Sequence, residues 1–401
     1  MQDKESEMNA SCALCGLATR VAAAGAVTVT AAAASPAAAW SNAVVRPVST
    51  VPNRHSIHTY FNVSPESPDG RFVLFYVSTE DDAETGDLVI QERATGRETV
   101  VARDIQTEDA HRAACQQWME GGRTIVYHDF RDGRWTVVAI DRETLEPRVL
   151  AQDRQLGFGA AMGSQVPLYG CHWKPGAHRD LEFVDLRTGV IRTVARADDV
   201  AALQPDWVRE TFPENGQPLS IFFPVVSPDG RNVFFKLARG SGGDNFKSSK
   251  ASVREGKFVY DLEEGKPIRF YPQWGHPSWH PDSRRILEKG NILFDAEDGQ
   301  GRKLAPIPTD HPSFGPDGSV FVSDGKVSKA DYAETGNLVV TVGSETSDDQ
   351  VRIDHFKGTA GARTWRKSHP HPVFSADGRR IYYNVNAGPW TELRVAETTK
   401  E

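Results

Sequence analysis

Ser67-Pro-Asp-Gly70 followed by RFVLFYV, and Ser227-Pro-Asp-Gly230 followed by RNVFFKL, are one phrase written twice: a tight turn, then a strand of alternating apolar residues. Proline presets φ at the first turn position, aspartate bonds its own backbone, and glycine accepts a positive φ, so the phrase encodes a hairpin. It returns as His280-Pro-Asp-Ser283 with RRILEK, Gly315-Pro-Asp-Gly318 with SVFVSD, and Ser375-Ala-Asp-Gly378 with RRIYYNV. Looser copies stand at Trp118-Met-Glu-Gly-Gly122 before RTIVYHD and at Trp173-Lys-Pro-Gly176 before DLEFVDL, which makes seven.

Most copies are followed by a second turn and another strand, as at Asp141-Arg-Glu-Thr-Leu145 and Asp185-Leu-Arg-Thr-Gly189. The mean spacing of roughly fifty residues is that of propeller blades, each a four-stranded sheet around a central channel. No stretch reads as a long amphipathic helix. The expected fold is therefore all-β: a seven-bladed β-propeller in a single domain spanning residues 40–401. A pair of β-sandwiches is the competing layout, and seven turns in one phase argue against it.

The chain has 401 residues, 39% hydrophobic and 25% charged, enough to bury a large core. Its formal net charge of −8 and the lack of any lysine- or arginine-rich run argue against a nucleic-acid surface held by phosphate neutralisation. An anionic substrate must then be met by local cations. Of four cysteines, Cys12 and Cys15 lie near the N-terminus and only Cys115 and Cys171 in the globular part, which is neither a disulfide framework nor a zinc site. Residues Ala13 to Ala39 are rich in alanine, valine and threonine with one charge, Arg20. This reads as a secretory signal peptide over 1–39, starting from Met8, and points to the periplasm or secretion. The alternative is a disordered alanine-rich tail and a cytoplasmic protein, since no lysine or arginine precedes the apolar run after Met8. No later run approaches the ~20 apolar residues of a membrane span, and no partner protein is evident.

Aligning the copies on the turn exposes a second pattern. In copies five, six and seven the residue three before the apolar anchor is histidine: His276-Pro-Ser-Trp279, His311-Pro-Ser-Phe314 and His371-Pro-Val-Phe374. The same slot holds Val63, Cys115, Gly170 and Phe223 elsewhere. Equivalent blade positions lie on one ring around the channel, so three consecutive blades aim three imidazoles at one height. His369 stands two residues before His371, on the same side if the backbone is extended, and the proline after each of the four histidines favours that extended form. A single His-Pro is more often a turn than a ligand; four histidines in three phased blades suit a divalent cation. His111 and His172, just ahead of the second and third turns, are expected to line the cavity.

His369-Pro-His-Pro-Val-Phe-Ser-Ala-Asp-Gly378, together with the phased Gly275-His-Pro-Ser-Trp-His-Pro-Asp282 and Asp310-His-Pro-Ser-Phe-Gly-Pro-Asp-Gly318, resembles the oligogalacturonate lyases, seven-bladed propellers that bind manganese in the channel mouth. The turn repeats alone are common to all TolB-like propellers; the HPHP phrase with two upstream histidines discriminates more. The resemblance implies His311, His369 and His371 as metal ligands, His276 as general base, and Mn2+ as the cofactor. The family's remaining ligand is a glutamine three residues before HPHP, where this chain has Arg366. A catalytic arginine of the family maps to Arg254 or Lys257, because the polar insertion 240–249 blurs the register. The resemblance also implies an acidic oligosaccharide substrate cleaved by β-elimination. At the departure from the family, either water or another side chain completes the metal's shell, the metal is different, or the substrate has changed and Arg366 itself binds a carboxylate. On that last reading Arg366 joins His111 and His172, placed near the ring by the turn alignment, in substrate binding. A non-catalytic TolB-like binding or assembly propeller is the alternative; a serine peptidase is excluded by the lack of a G-x-S-x-G elbow.

Overall fold

The computed structural model describes residues 35–244 and 246–398. Most of the leader expected over 1–39 lies outside the described residues.

The hairpin phrase folds as its residues dictate. In four copies the glycine amide closes the turn, Gly70 onto Ser67 O at 2.8 Å, Gly230 onto Ser227 O at 2.9 Å, and Gly318 and Gly378 onto the carbonyls of Gly315 and Ser375 at 3.0 Å. Each glycine takes a positive φ of 70–78°, which a side chain would strain. The serine or aspartate beside it bonds the turn from within, as Ser67 Oγ does to Asp69 at 2.5 Å and Ser375 Oγ to Asp377 at 2.7 Å.

Seven such hairpins extend into seven four-stranded antiparallel sheets, the seven-bladed β-propeller. Six blades use consecutive strands. The seventh combines Val373–Phe374, Arg380–Val385 and Glu392–Glu397 with an outer strand from the start of the described chain, Val44–Pro47, paired Val44 to Glu397. The two ends thus close one ring, the strand Val44–Pro47 supplying the outer edge of the last blade. Trp40, at the end of the short helix Pro36–Trp40, packs edge-on against Phe374 at 5.6 Å. Across the blade-seven to blade-one seam, Arg380 bonds the buried Glu66 through Nε at 2.7 Å and Nη2 at 2.9 Å.

One repeat sits differently from its sequence reading. Blade three runs Arg154–Leu156, Gln165–Gly170, Leu181–Asp185 and Ile191–Ala195. Its phased turn is 160–163, where Gly163 N bonds Ala160 O at 2.8 Å. Trp173-Lys-Pro-Gly176 instead lies between the second and third strands, at the opposite end of the blade. The true turn carries neither proline nor aspartate, so a proline-glycine pair one strand later stood in for it. Gly170 is therefore not a ring position, and His172 loses the argument that placed it on the ring.

Candidate metal centre at the channel mouth

The segments entering the innermost strands of blades five to seven carry His276, His311, and the pair His369 and His371. His276 and His311 stack at 4.6 Å between ring centroids. His311 lies 4.6 Å from His371 and 5.1 Å from His369, and His369 lies 5.7 Å from His371. His111, from the loop entering blade two, reaches across the axis to within 4.6 Å of both His369 and His371. Five imidazoles share one mouth. Sequence reasoning gave His111 a place in substrate binding; the geometry puts it in the donor set.

The backbone route differs from the extended form expected ahead of proline. His371 has φ 49° and His276 φ 71°, both left-handed. The chain must turn from the channel wall into a strand while keeping the ring pointed inward, and the packing of the rings holds this strained conformation. His369 and His371 precede the strand rather than belong to it, so the shared direction of the pair owes nothing to strand alternation.

Ligating nitrogens of His111, His369 and His371 lie within 4.8 Å of one another, as do those of His276, His311 and the Asp310 carboxylate. His369 Nδ1 is 3.4 Å from His311 Nε2, linking the two groups. Hydrogen bonds set which nitrogen of each ring is free. His311 Nδ1 meets both oxygens of buried Asp324, at 2.9 and 3.0 Å, which leaves Nε2 facing the cluster. His111 Nδ1 meets Lys367 O at 3.1 Å, and its Nε2 has no partner. Both ring nitrogens of buried His371 are likewise unpartnered. Buried polar atoms in this state are rare and call for a ligand. The donor set fits a divalent transition metal held by His111, His311, His369 and His371, with Asp324 as the carboxylate that fixes a ligand's tautomer.

Burial first, and then repulsion from neighbouring cationic forms, pushes His111, His369 and His371 toward neutrality. His111 and His371 fall well below the usual imidazole range, and His369 falls to about 4. Neutral imidazole is the ligating form. His276 is lowered by burial, partly opposed by Asp310. Its Nδ1 meets Asp310 O at 3.0 Å and the Asp310 carboxylate at 3.3 Å, so Nε2 keeps its lone pair. Burial alone would raise Asp310, but His276, His311 and Lys289 hold it well below the usual range.

Beneath the histidines lies an aromatic floor that sequence reasoning missed. The chain leaving His55–Ile57 crosses the channel and puts Tyr60 4.6 Å from His371 and Phe61 5.2 Å from His311. Phe158 and Phe223 flank Tyr60 at 5.6 and 5.1 Å. Burial pushes the Tyr60 hydroxyl up to about 12, so it stays protonated. Phe61 also lines a cavity of about 470 Å³ at the turn end of the channel, with Trp118, Trp279, Phe314 and Phe374. The floor therefore divides the channel into a polar mouth and an apolar one.

The cations sort unequally. Arg254 lies 5.3 Å over Phe222 and shares the mouth with Arg366, whose charge helps, after burial, to lower Arg254 to about 10. Arg366 also acts on Tyr60, His111, His369 and His371. Lys257 does not join them. It is 1% exposed, paired with Glu288 and 4.2 Å over Tyr271, between blades four and five. Three residues beyond Arg254 in the strand Ser252–Asp261, Lys257 points the other way, toward Glu288, while Arg254 lies over Phe222. His172 is buried one layer behind the mouth, with Nε2 3.3 Å from Glu108 and Nδ1 2.6 Å from Ser252 Oγ. Glu108 also takes Arg112 at 3.4 Å. His172 thus supports the wall and does not line it. Among the missed residues, Asp324 gave no signal in the sequence, whereas Asp310 directly precedes His311.

No family model matches the chain, and no curated protein matches it. Solved structures do. An oligogalacturonate lyase in complex with manganese is 18% identical, with a TM-score of 0.62, and the match covers 90% of this chain and 94% of that one. The oligogalacturonate lyase of Vibrio parahaemolyticus is 15% identical, with a TM-score of 0.60 over 88% and 93% of the two chains. At these identities the likeness is one of fold, the seven-bladed propeller that the repeats encode.

Proposed function

We propose that this protein is a metal-dependent lyase that cleaves an acidic oligosaccharide of the oligogalacturonate kind by β-elimination. The observation that carries the reading is the convergence of five histidines, three of whose buried nitrogens lack partners, beside unpaired cations at one channel mouth. A binding or assembly propeller whose channel carries no metal leaves the cluster unexplained.

Elimination removes the C5 proton, α to the carboxylate, and breaks the C4–O bond; the electron pair left on C5 becomes the C4=C5 double bond and the departing oxygen takes a proton from water. Charge builds on the carboxylate, and stabilising it is usually the largest contribution to rate. A divalent cation, Mn2+ in the first instance, held by His111, His311, His369 and His371 would supply Lewis-acid neutralisation of that carboxylate. His276 takes the proton at Nε2: Asp310 occupies its other nitrogen, and burial keeps the ring neutral and ready to accept. Arg254 and Arg366 supply positive charge to the acidic substrate beside the reacting sugar. The aromatic floor keeps water from approaching the ring from below.

Chelator-treated protein given manganese and digalacturonate is the test, read as growth of the ultraviolet absorbance of the unsaturated product. Absorbance that grows with metal and disappears in His276→Gln is the expected result. A flat trace with every uronide tried, manganese present, overturns the lyase reading.

A further inference from the structure

Lys236 stands in the strand Asn232–Gly240 of blade four, flanked by Phe235 and Leu237, and sequence reasoning passed over it. Its ammonium sits 4.1 Å over the Trp274 ring and 5.6 Å over Phe222. Arg254 sits over the same Phe222. Burial comes first, then Arg254 and Arg366, in pressing Lys236 toward its uncharged form, with the exposed Glu255 opposing them and Arg112 adding to them. Arg112 is accounted for by Glu108 at 3.4 Å and the Tyr169 hydroxyl at 3.0 Å. Of the nearby carboxylates, Glu108 is further engaged by His172 and Gln155, and Asp109 accepts the backbone amides of His111 and Arg112. Lys236, Arg254 and Arg366 have no ion-pair partner among the described residues; each is half-buried.

Glu108, Asp109 and Glu255 act on these cations from a distance without forming an ion pair with any of them among the described residues, and three cations left unpaired side by side are stabilised by an anion that joins them directly. They adjoin the reaction site: Arg366 stands between Trp365, whose Nε1 donates to Glu108 O at 3.0 Å, and Lys367, whose carbonyl meets His111 Nδ1 at 3.1 Å, while Lys236 sits over Trp274, two residues before His276. We infer that Lys236, Arg254 and Arg366 form a second anion subsite that receives a carboxylate or sulfate ester on the sugar next to the one that reacts. The identity of the ligand rests on the lyase reading; the existence of the subsite does not. With Arg366 standing beside the donor cluster, one side chain serves both regions, so the subsite belongs to this chain's own combination of residues.

The test uses metal-free protein, which separates it from catalysis. Sodium sulfate and, in parallel, sodium galacturonate are titrated at low ionic strength against a chloride control, reading tryptophan fluorescence, with Trp274→Phe identifying the reporter. An anion that draws the Lys236 ammonium off the indole gives a saturable change. Lys236→Met and Arg366→Gln should each weaken binding by roughly tenfold or more, as expected for loss of a charge-assisted hydrogen bond, and Lys236→Arg should restore it. Tighter binding of sulfate points to a sulfated sugar, and tighter binding of galacturonate to a second uronate. No saturable change beyond chloride, or equal binding by wild type and a Lys236→Met protein with an unchanged melting temperature, overturns the subsite. Retained anion binding without uronide cleavage would defeat the lyase reading alone.

Discussion

Replacing Asp324 by asparagine removes one charge and one oxygen from a point where three N–H groups meet. The backbone N–H of His311 reaches Oδ1 at 2.9 Å, the His311 ring nitrogen Nδ1 lies 2.9 and 3.0 Å from the two oxygens, and the backbone N–H of His371 points at Oδ2 from 3.4 Å. The site is sealed, with Asp324 2% exposed. An amide offers one oxygen, and its NH2 must face a donor on the other side. The ring of His311 relieves that clash by moving its proton from Nδ1 to Nε2, and the nitrogen that faces the cluster then has no lone pair to give. Loss of such a carboxylate partner typically weakens metal binding by roughly 10- to 100-fold, or about 1.4 to 2.7 kcal/mol. Manganese titration of chelator-treated wild type and Asp324→Asn by calorimetry, with thermal melts as the folding control, reads the effect. An unchanged affinity in a folded variant would refute the assignment of His311 as a ligand whose tautomer Asp324 sets.

The remaining predictions separate the histidines by role. His111→Ala should weaken manganese binding by roughly the same 10- to 100-fold, measured by the same titration; full affinity would return His111 to substrate binding. His276→Gln should leave metal binding near wild type while lowering kcat by about 10² to 10⁴, the range of a lost general base, and a parallel loss of metal would identify it as a ligand. Away from the mouth, buried His128 accepts the Leu156 amide at 3.1 Å and is held down to about 3, first by burial and then by Arg112, from 6.5. Because its folded value is depressed, the unfolded chain binds the proton first; the stability from the neutral ring is complete above about 6.5 and declines as pH falls toward about 3. His128→Asn keeps the acceptor without the titration. Relative to wild type it should gain about 2 kcal/mol in urea melts between pH 6.5 and 4.5. Parallel pH profiles for the two proteins would rule out a neutral buried imidazole at this position.

Legibility in the sequence followed the range of the interaction. Turns are local: Pro-Asp-Gly decides φ within its own residues, and five such phrases were read in register. Blade three failed because its turn, 160–163, uses a glycine with neither proline nor aspartate, and no local rule finds it. The phase of the histidines was legible because a repeat converts sequence position into position on a ring. Their backbone was not, since the left-handed φ at His276 and His371 is imposed by packing across the channel.

From sequence alone came the architecture and the convergence of His276, His311, His369 and His371, because both depend only on a repeat and on where each residue falls within it. Tertiary structure alone decided that His111 joins the donors, that Asp324 holds His311, that Lys257 turns away to Glu288 while Lys236 turns in, and that Tyr60 and Phe61 close the floor. Each of these is a contact between elements that the local sequence of neither one encodes. The hydrophobic and turn patterns that build each blade carry no record of what lies across the channel.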